Sequence, residues 1–164
     1  VGVKADMRCY EQPVLLWGDA DWPKLFDITA QICQRVSGVN RCLFDLTGNG
    51  IKTVTPLKAT LTRYRLNLLR EIDYVVMDAL SRYKLMNTIW QCPTVLLPLC
   101  INGRGSEMVV LRPILSARAM TCRPAILPDS FIDEVRKFIM GFSSDISGLA
   151  VDLTTKPPAT VEFE

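Results

Sequence analysis

The chain has 164 residues, 49% of them apolar and 22% charged, and its formal net charge is +2. That is enough for one globular domain, or for two small ones sharing a core. Lysine and arginine are interspersed with aspartate and glutamate, and no apolar run approaches the roughly 20 residues of a membrane span, so neither nucleic acid nor membrane is expected as a partner. Val1 opens the sequence without a start residue or a signal-peptide pattern, so a piece of a longer protein is expected.

In chain order, residues 8–17 read as a strand ending in a turn at Gly18 and Asp19. Residues 22–36 place Leu25, Ile28, Ile32 and Val36 at helical spacing, with Asp21 as N-cap, Pro23 in the first turn and Gly38 closing the helix. Residues 41–47 form a short strand stopped by Gly48, Asn49 and Gly50. Residues 51–62 are mixed, and Pro56 argues for an edge or a bend. The spacing of Leu66, Leu69, Ile72, Val76 and Leu80 predicts a long amphipathic helix over 63–83. The apolar run 94–99 reads as a buried strand. Asn102 to Gly105 then reverses the chain into 107–114 as a hairpin. Asp129 is expected to cap another helix carrying Ile132, Val135, Phe138, Ile139 and Phe142, followed by a strand at 148–153 and a tail.

The helix-then-strand ending occurs twice. Phe44-Asp45-Leu46-Thr47 is echoed by Val151-Asp152-Leu153-Thr154, with the two aspartates 107 positions apart and an amphipathic helix before each. This suggests an α+β fold of two related modules, residues 1–50 and 51–164, each a small, mainly antiparallel sheet with helices on one face. One irregular α+β domain with a coincidental echo is the competing reading.

The familiar catalytic motifs are missing. There is no P-loop, no dinucleotide fingerprint, no C-x-x-C pair of the zinc or redox kind, and no histidine for a Cys–His nucleophile. The six cysteines mostly sit among apolar neighbours, as buried hydrophobes in a reducing compartment would. The Gly48–Gly50 and Gly103–Gly105 stretches read as turns, because neither opens a helix that could hold an anion. The tail, Lys156-Pro157-Pro158-Ala159-Thr160-Val161-Glu162-Phe163-Glu164, joins a cation, a proline turn and two carboxylates. Chemistry alone leaves it as either a solvated terminus or a nucleotide site.

That tail is similar to the KPPATIEWE-type end of GMP synthases, and Val151 to Thr155 resembles the family's YDITS or YDLTS. Weaker blocks lie in the same order along the chain. Val1 to Arg8 resembles VGVxGDxR, Leu68 to Asp73 resembles LLRRAD, and Gln91 to Pro98 resembles SQxPVxLxP. Val110 to Pro113 and Ala119 to Thr121 resemble VLRPV and AMTA. Members of this family adenylylate XMP with ATP and aminate it with ammonia from glutamine. They use a glutaminase, an ATP-pyrophosphatase domain and a C-terminal dimerisation and XMP-binding domain, which larger members carry in duplicate. This chain resembles only the last.

The resemblance implies that Lys156 meets the XMP phosphate and Glu162 the nucleoside, with Gln91 and Asp6 also contacting XMP. Arg112 is given a structural role first, through an ion pair with a tail carboxylate, and Arg41 and Arg8 are supporting cations. Gly148 stands where the family usually has a phosphate-binding arginine, which implies weaker XMP binding. The chain itself implies no cofactor and no catalysis; ATP and magnesium belong to the pyrophosphatase domain. The partners implied are XMP, the pyrophosphatase and glutaminase domains of the same chain, and a homodimer or internal pseudo-dimer, in the cytoplasm. The alternative function is a structural interaction module whose nucleotide site has weakened or been lost.

Overall fold

In the computed structural model, which describes residues 1–4, 7–118 and 120–163, the segment expected as one strand is broken. β2 (Met7–Cys9) turns back to pair antiparallel with β1 (Gly2–Lys4), and β3 (Gln12–Leu16) joins the main sheet. Helix α1 (Trp22–Arg35) begins as expected. The Asp21 carboxylate accepts the Lys24 amide at 3.2 Å, and Pro23 lies in the first turn, where its missing N–H costs nothing. Strand β4 (Val39–Asp45) follows, and β5 (Val54–Pro56) is an exposed edge.

Helix α2 (Arg63–Arg82) is capped by Thr62, whose hydroxyl accepts the Arg65 amide at 3.2 Å. After a 3-10 turn, the apolar run 94–99 divides at Pro98. β6 (Thr94–Leu97) pairs with β8 (Glu107–Leu111), while β7 (Leu99–Ile101) leaves the sheet to pair with β5. A two-residue strand, β9 (Ile114–Leu115), pairs with β10 (Arg123–Pro124). Helix α3 (Asp129–Phe142) then leads into β11 (Ile146–Asp152). Asp129 is not the N-cap. Pro128 holds that place, and Asp129 sits inside the first turn, where its charge faces the positive end of the helix dipole.

The fold is α+β, but its strands do not form two mainly antiparallel sheets. β3, β4, β11, β8 and β6 lie side by side in one mixed sheet, in that order, so strands from 1–50 and 51–164 share a ladder. β3 runs parallel to β4 and β8 parallel to β11, because α1 and α3 are the crossovers between them. All three helices pack on one face. Ile72, Val76, Phe131 and Ile139 meet Phe44, Val109, Leu149 and Val151 there, and full burial of each such side chain contributes about 1.5–3 kcal/mol. The opposite face carries a smaller core of Leu43, Ile101, Met108, Val110 and Ala150.

At the sheet centre β4 and β11 run antiparallel, with Phe44 directly opposite Val151, themselves 107 positions apart. The local hydrogen bonds repeat with that spacing. The Thr47 amide donates to Asp45 at 3.0 Å, and the Thr154 amide to Asp152 at 2.8 Å. The Leu149 amide donates to Thr47 Oγ1 at 2.9 Å, and the Cys42 amide to Thr154 Oγ1 at 2.8 Å. A local two-fold axis therefore passes between Phe44 and Val151. The relation ends at the connections. Residues 17–21 lead directly from β3 to α1, whereas 112–128 between β8 and α3 contain the β9–β10 ribbon.

Candidate functional site

The tail is not a solvated terminus. Ala159 and Val161 are buried, and β1 covers the segment: the Val3 amide donates to the Pro158 carbonyl at 2.7 Å and the Thr160 amide to the Val1 carbonyl at 3.2 Å. Beneath it lies a buried charge cluster. The Arg112 and Asp152 side chains are fully buried and that of Arg41 is 3% exposed. Asp152 Oδ2 accepts from Arg112 Nη1 at 2.7 Å and also from Arg41 Nη1. Arg112 Nη2 donates to the Thr160 carbonyl at 2.7 Å, and Arg41 Nη2 donates to the Val1 and Glu162 carbonyls, each at 3.0 Å. The Arg41 guanidinium also lies 4.0 Å from the centre of the Phe163 ring. Burial pulls the Arg112 guanidinium below its ordinary pKa; Asp152 opposes this, and Arg41 adds to it.

Both arginines thus serve the fold. For Arg112 an ion pair with a tail carboxylate was expected; its anion here is Asp152, and it reaches the Thr154 and Thr160 carbonyls. Arg41 is spent on the same task instead of facing a ligand.

Lys156 stands where the tail meets the β9–β10 ribbon. Its amide donates to the Cys122 carbonyl at 2.8 Å, and its own carbonyl accepts the Cys122 amide at 3.2 Å. The half-buried side chain lines a cavity of about 670 Å³, with Arg123 and the hydroxyl residues Thr88, Ser116, Thr121 and Thr155 around it. None of the described residues lining this cavity is acidic. Two cations and several hydroxyls suit a phosphate and a sugar; a nucleophile paired with a base is not among them. Among the described residues there is also no group of three His, Cys, Asp or Glu that could hold a metal ion.

Gln91 is exposed on the far side of the same ribbon, bridged to Ile114 through its carbonyl, which accepts the Ile114 amide at 2.9 Å. The Glu162 side chain is exposed and does not line the cavity, its carbonyl being held by Arg41 and by the Thr160 hydroxyl at 2.6 Å. Arg8 is exposed on β2. Asp6 lies outside the described residues. Gly148 does not line the Lys156 cavity. A Cβ at this position would meet Thr47, Ile101 and Met108. Sequence reasoning missed Arg123, although it follows the Ala119-Met120-Thr121 block closely; nothing local marks it as folding back beside Lys156.

Residues 78–163, just over half of the chain, match the family described as GMP synthase C terminal domain. A probable GMP synthase (glutamine-hydrolyzing) of Leptospira interrogans is 31% identical over 177 aligned positions, covering the whole chain and 27% of that relative. A GMP synthase of Streptomyces coelicolor is 35% identical over 133 positions, covering 77% of the chain and 24% of the relative. One of Mycobacterium tuberculosis is likewise 35% identical over 133 positions, at 77% and 25% coverage. The chain spans about a quarter of the length of the curated relatives it matches.

Proposed function

We propose that this chain, which belongs to the GMP synthase C-terminal domain family, is the part of a glutamine-hydrolysing GMP synthase that binds XMP and joins subunits or modules. The observation that carries this reading is the Lys156 cavity. A cation held at both its amide and its carbonyl by the β9–β10 ribbon faces the same space as Arg123 and several hydroxyls. In this reading Lys156 and Arg123 take the phosphate as charge-assisted partners, and the threonine and serine hydroxyls take the ribose. Gln91 and Glu162, which do not line this cavity, meet the part of the ligand that extends beyond it, Glu162 accepting from sugar or base. ATP, magnesium and ammonia chemistry then belong to the rest of the longer protein, in the cytoplasm, and this chain alone does not catalyse. The two strand-helix-strand units, with their repeated hydrogen bonds about the Phe44–Val151 axis, support duplicated modules that pair as an internal pseudo-dimer.

The test is GMP formation by the longer protein carrying Lys156→Ala, Glu162→Ala or Arg123→Gln. Loss of a charge-assisted phosphate bond is expected to lower kcat/KM for XMP by roughly tenfold to a hundredfold for Lys156→Ala, through KM. Unchanged kinetics in both Lys156→Ala and Glu162→Ala would refute the assignment and leave the chain as a structural interaction module.

A further inference from the structure

A second cavity lies behind the Lys156 loop, and its chemistry differs from that of the first. It measures about 500 Å³, within the roughly 300–1,000 Å³ range of small-molecule sites. Its walls are mostly apolar and several are flat: the Phe26 ring from α1, Pro124 from β10, Leu153, and Pro157 and Pro158 from the tail. Cys33 and Ala30 complete the helix side. Two of the polar groups lining it are already committed within the fold, since Thr154 Oγ1 accepts the Cys42 amide at 2.8 Å and the Thr155 hydroxyl donates to the Pro157 carbonyl at 2.7 Å.

Two other polar groups are differently placed. Thr29 is 4% exposed, and its hydroxyl has no oxygen or nitrogen partner among the described residues, being engaged only by the weakly bonding Cys42 thiol. That hydroxyl is sealed beneath the cavity wall and leaves Thr29 presenting its apolar atoms to the space. Arg123 is the cation on the cavity wall, and no acidic residue accompanies it among the described lining residues.

We propose that this cavity is a binding site for a flat, apolar small molecule bearing one carboxylate, with its aromatic body between Phe26 and the two prolines and its carboxylate on Arg123. Flat apolar walls favour a ring system, and one cation with no acidic neighbour among the described lining residues favours a single negative charge. Pro157, Thr155 and Arg123 belong to this cavity and to the Lys156 cavity alike, so a ligand here stiffens the loop that carries Lys156 and draws on the same guanidinium.

The probe is 2-naphthoate, titrated into the 164-residue chain by ligand-observed NMR, with the neutral 2-naphthylmethanol alongside. Saturable binding in about the submillimolar range is expected, in keeping with the efficiency of small ligands. Arg123→Gln should weaken the naphthoate about tenfold and leave the alcohol unchanged, as removal of one charge-assisted bond requires. Ala30 is exposed on α1, so Ala30→Trp is expected to fold and to block the cavity, lowering affinity for both probes by at least about tenfold. Naphthoate should also slow iodoacetamide alkylation of Cys33 in the unmodified chain.

No saturable binding, or no protection of Cys33, would overturn the site, and the protection measurement decides if Ala30→Trp does not fold. Affinity retained in a folded Ala30→Trp variant would place the probe elsewhere and also overturn it. Equal loss of both probes on Arg123→Gln would overturn the carboxylate assignment.

Discussion

Replacing Asp152 with asparagine exchanges one oxygen for an NH₂ group and tests the centre of the tail's anchorage. Asp152 Oδ2 is the anion shared by Arg41 and Arg112, and all three side chains are 3% exposed or less. Asparagine retains an oxygen for the Thr154 amide, which Asp152 Oδ1 accepts at 2.8 Å, but it removes the charge and points an NH₂ group at two guanidinium donors. Two cations then lie in the interior without an anion. Their Nε groups already lack partners among the described residues, so no spare acceptor stands ready to compensate. Removing one member of a buried ion pair costs about 3–5 kcal/mol, and here one substitution unpairs two cations, so at least about 4 kcal/mol is expected.

Against a total stability of about 5–15 kcal/mol, that is a large share. With a urea slope of about 2 kcal/mol per molar, the unfolding midpoint should fall by about 2 M. Asp45→Asn is the matched control. Asp45 is the residue related to Asp152 by the local two-fold and accepts the Thr47 amide at 3.0 Å, but it forms no ion pair among the described residues. It should lose about 1 kcal/mol or less, as one neutralised acceptor does. A midpoint shift below about 0.5 M for Asp152→Asn, at unchanged slope, would refute the account of the triad as the tail's anchor.

Gly105→Ala should destabilise the chain by about 2 kcal/mol or more in the same assay, since φ is +60° and the added carbon would lie 2.6 Å from the Ser147 amide nitrogen and 2.7 Å from the Asp145 carbonyl oxygen. Burial pushes the Cys92 thiol up to about 12, above its ordinary value near 9. The folded chain then keeps a proton that the unfolded chain releases, so this contribution is fully present below about pH 9 and is lost as pH rises towards 12, by at most about 1.4 kcal/mol per pH unit. Urea unfolding between pH 8.5 and 11 should therefore show a shallower alkaline decline in Cys92→Ala than in the unmodified chain, and equal declines would contradict it. Gly148→Arg should lower the urea midpoint, because even the first added carbon meets Thr47 Oγ1 at 3.0 Å; an unchanged midpoint would contradict this.

The helices were the most legible part of the sequence because their signals are local. Asp21 caps α1 as a short polar side chain at non-helical backbone, and the spacing of Ile72, Val76 and Leu80 gives the buried face of α2 directly. Strand partnership was not legible, because it depends on residues far apart in sequence. Nothing in 94–99 says that Pro98 separates one strand bound to β8 from another bound to β5. The tail shows the same limit. Its residues look hydrophilic and terminal, yet they are packed by β1 from the opposite end of the chain and by arginines 119 and 48 positions away from Thr160. Arg123 was missed beside Lys156 for that reason too.

The local two-fold explains why the echo in sequence does not produce two equivalent sites. Both aspartates receive the amide of the threonine two residues on, and both threonines reach across to the other strand, so the sheet centre treats the two ends alike. The differences begin one step out. At the Asp152 end, Arg41 reaches across from β4, Arg112 arrives from β8, and the chain continues into Lys156 and the prolines, which the β9–β10 ribbon receives. At the Asp45 end, the position related to Arg41 is Gly148, crowded by Thr47, and the chain continues into Gly48, Asn49 and Gly50. A ribbon inserted in only one of two related crossovers thus receives the tail and creates the Lys156 cavity at one end alone. The aspartate that the two ends share acts in the scaffold, and the chemistry that distinguishes them lies in the inserted residues, Arg123 foremost among them.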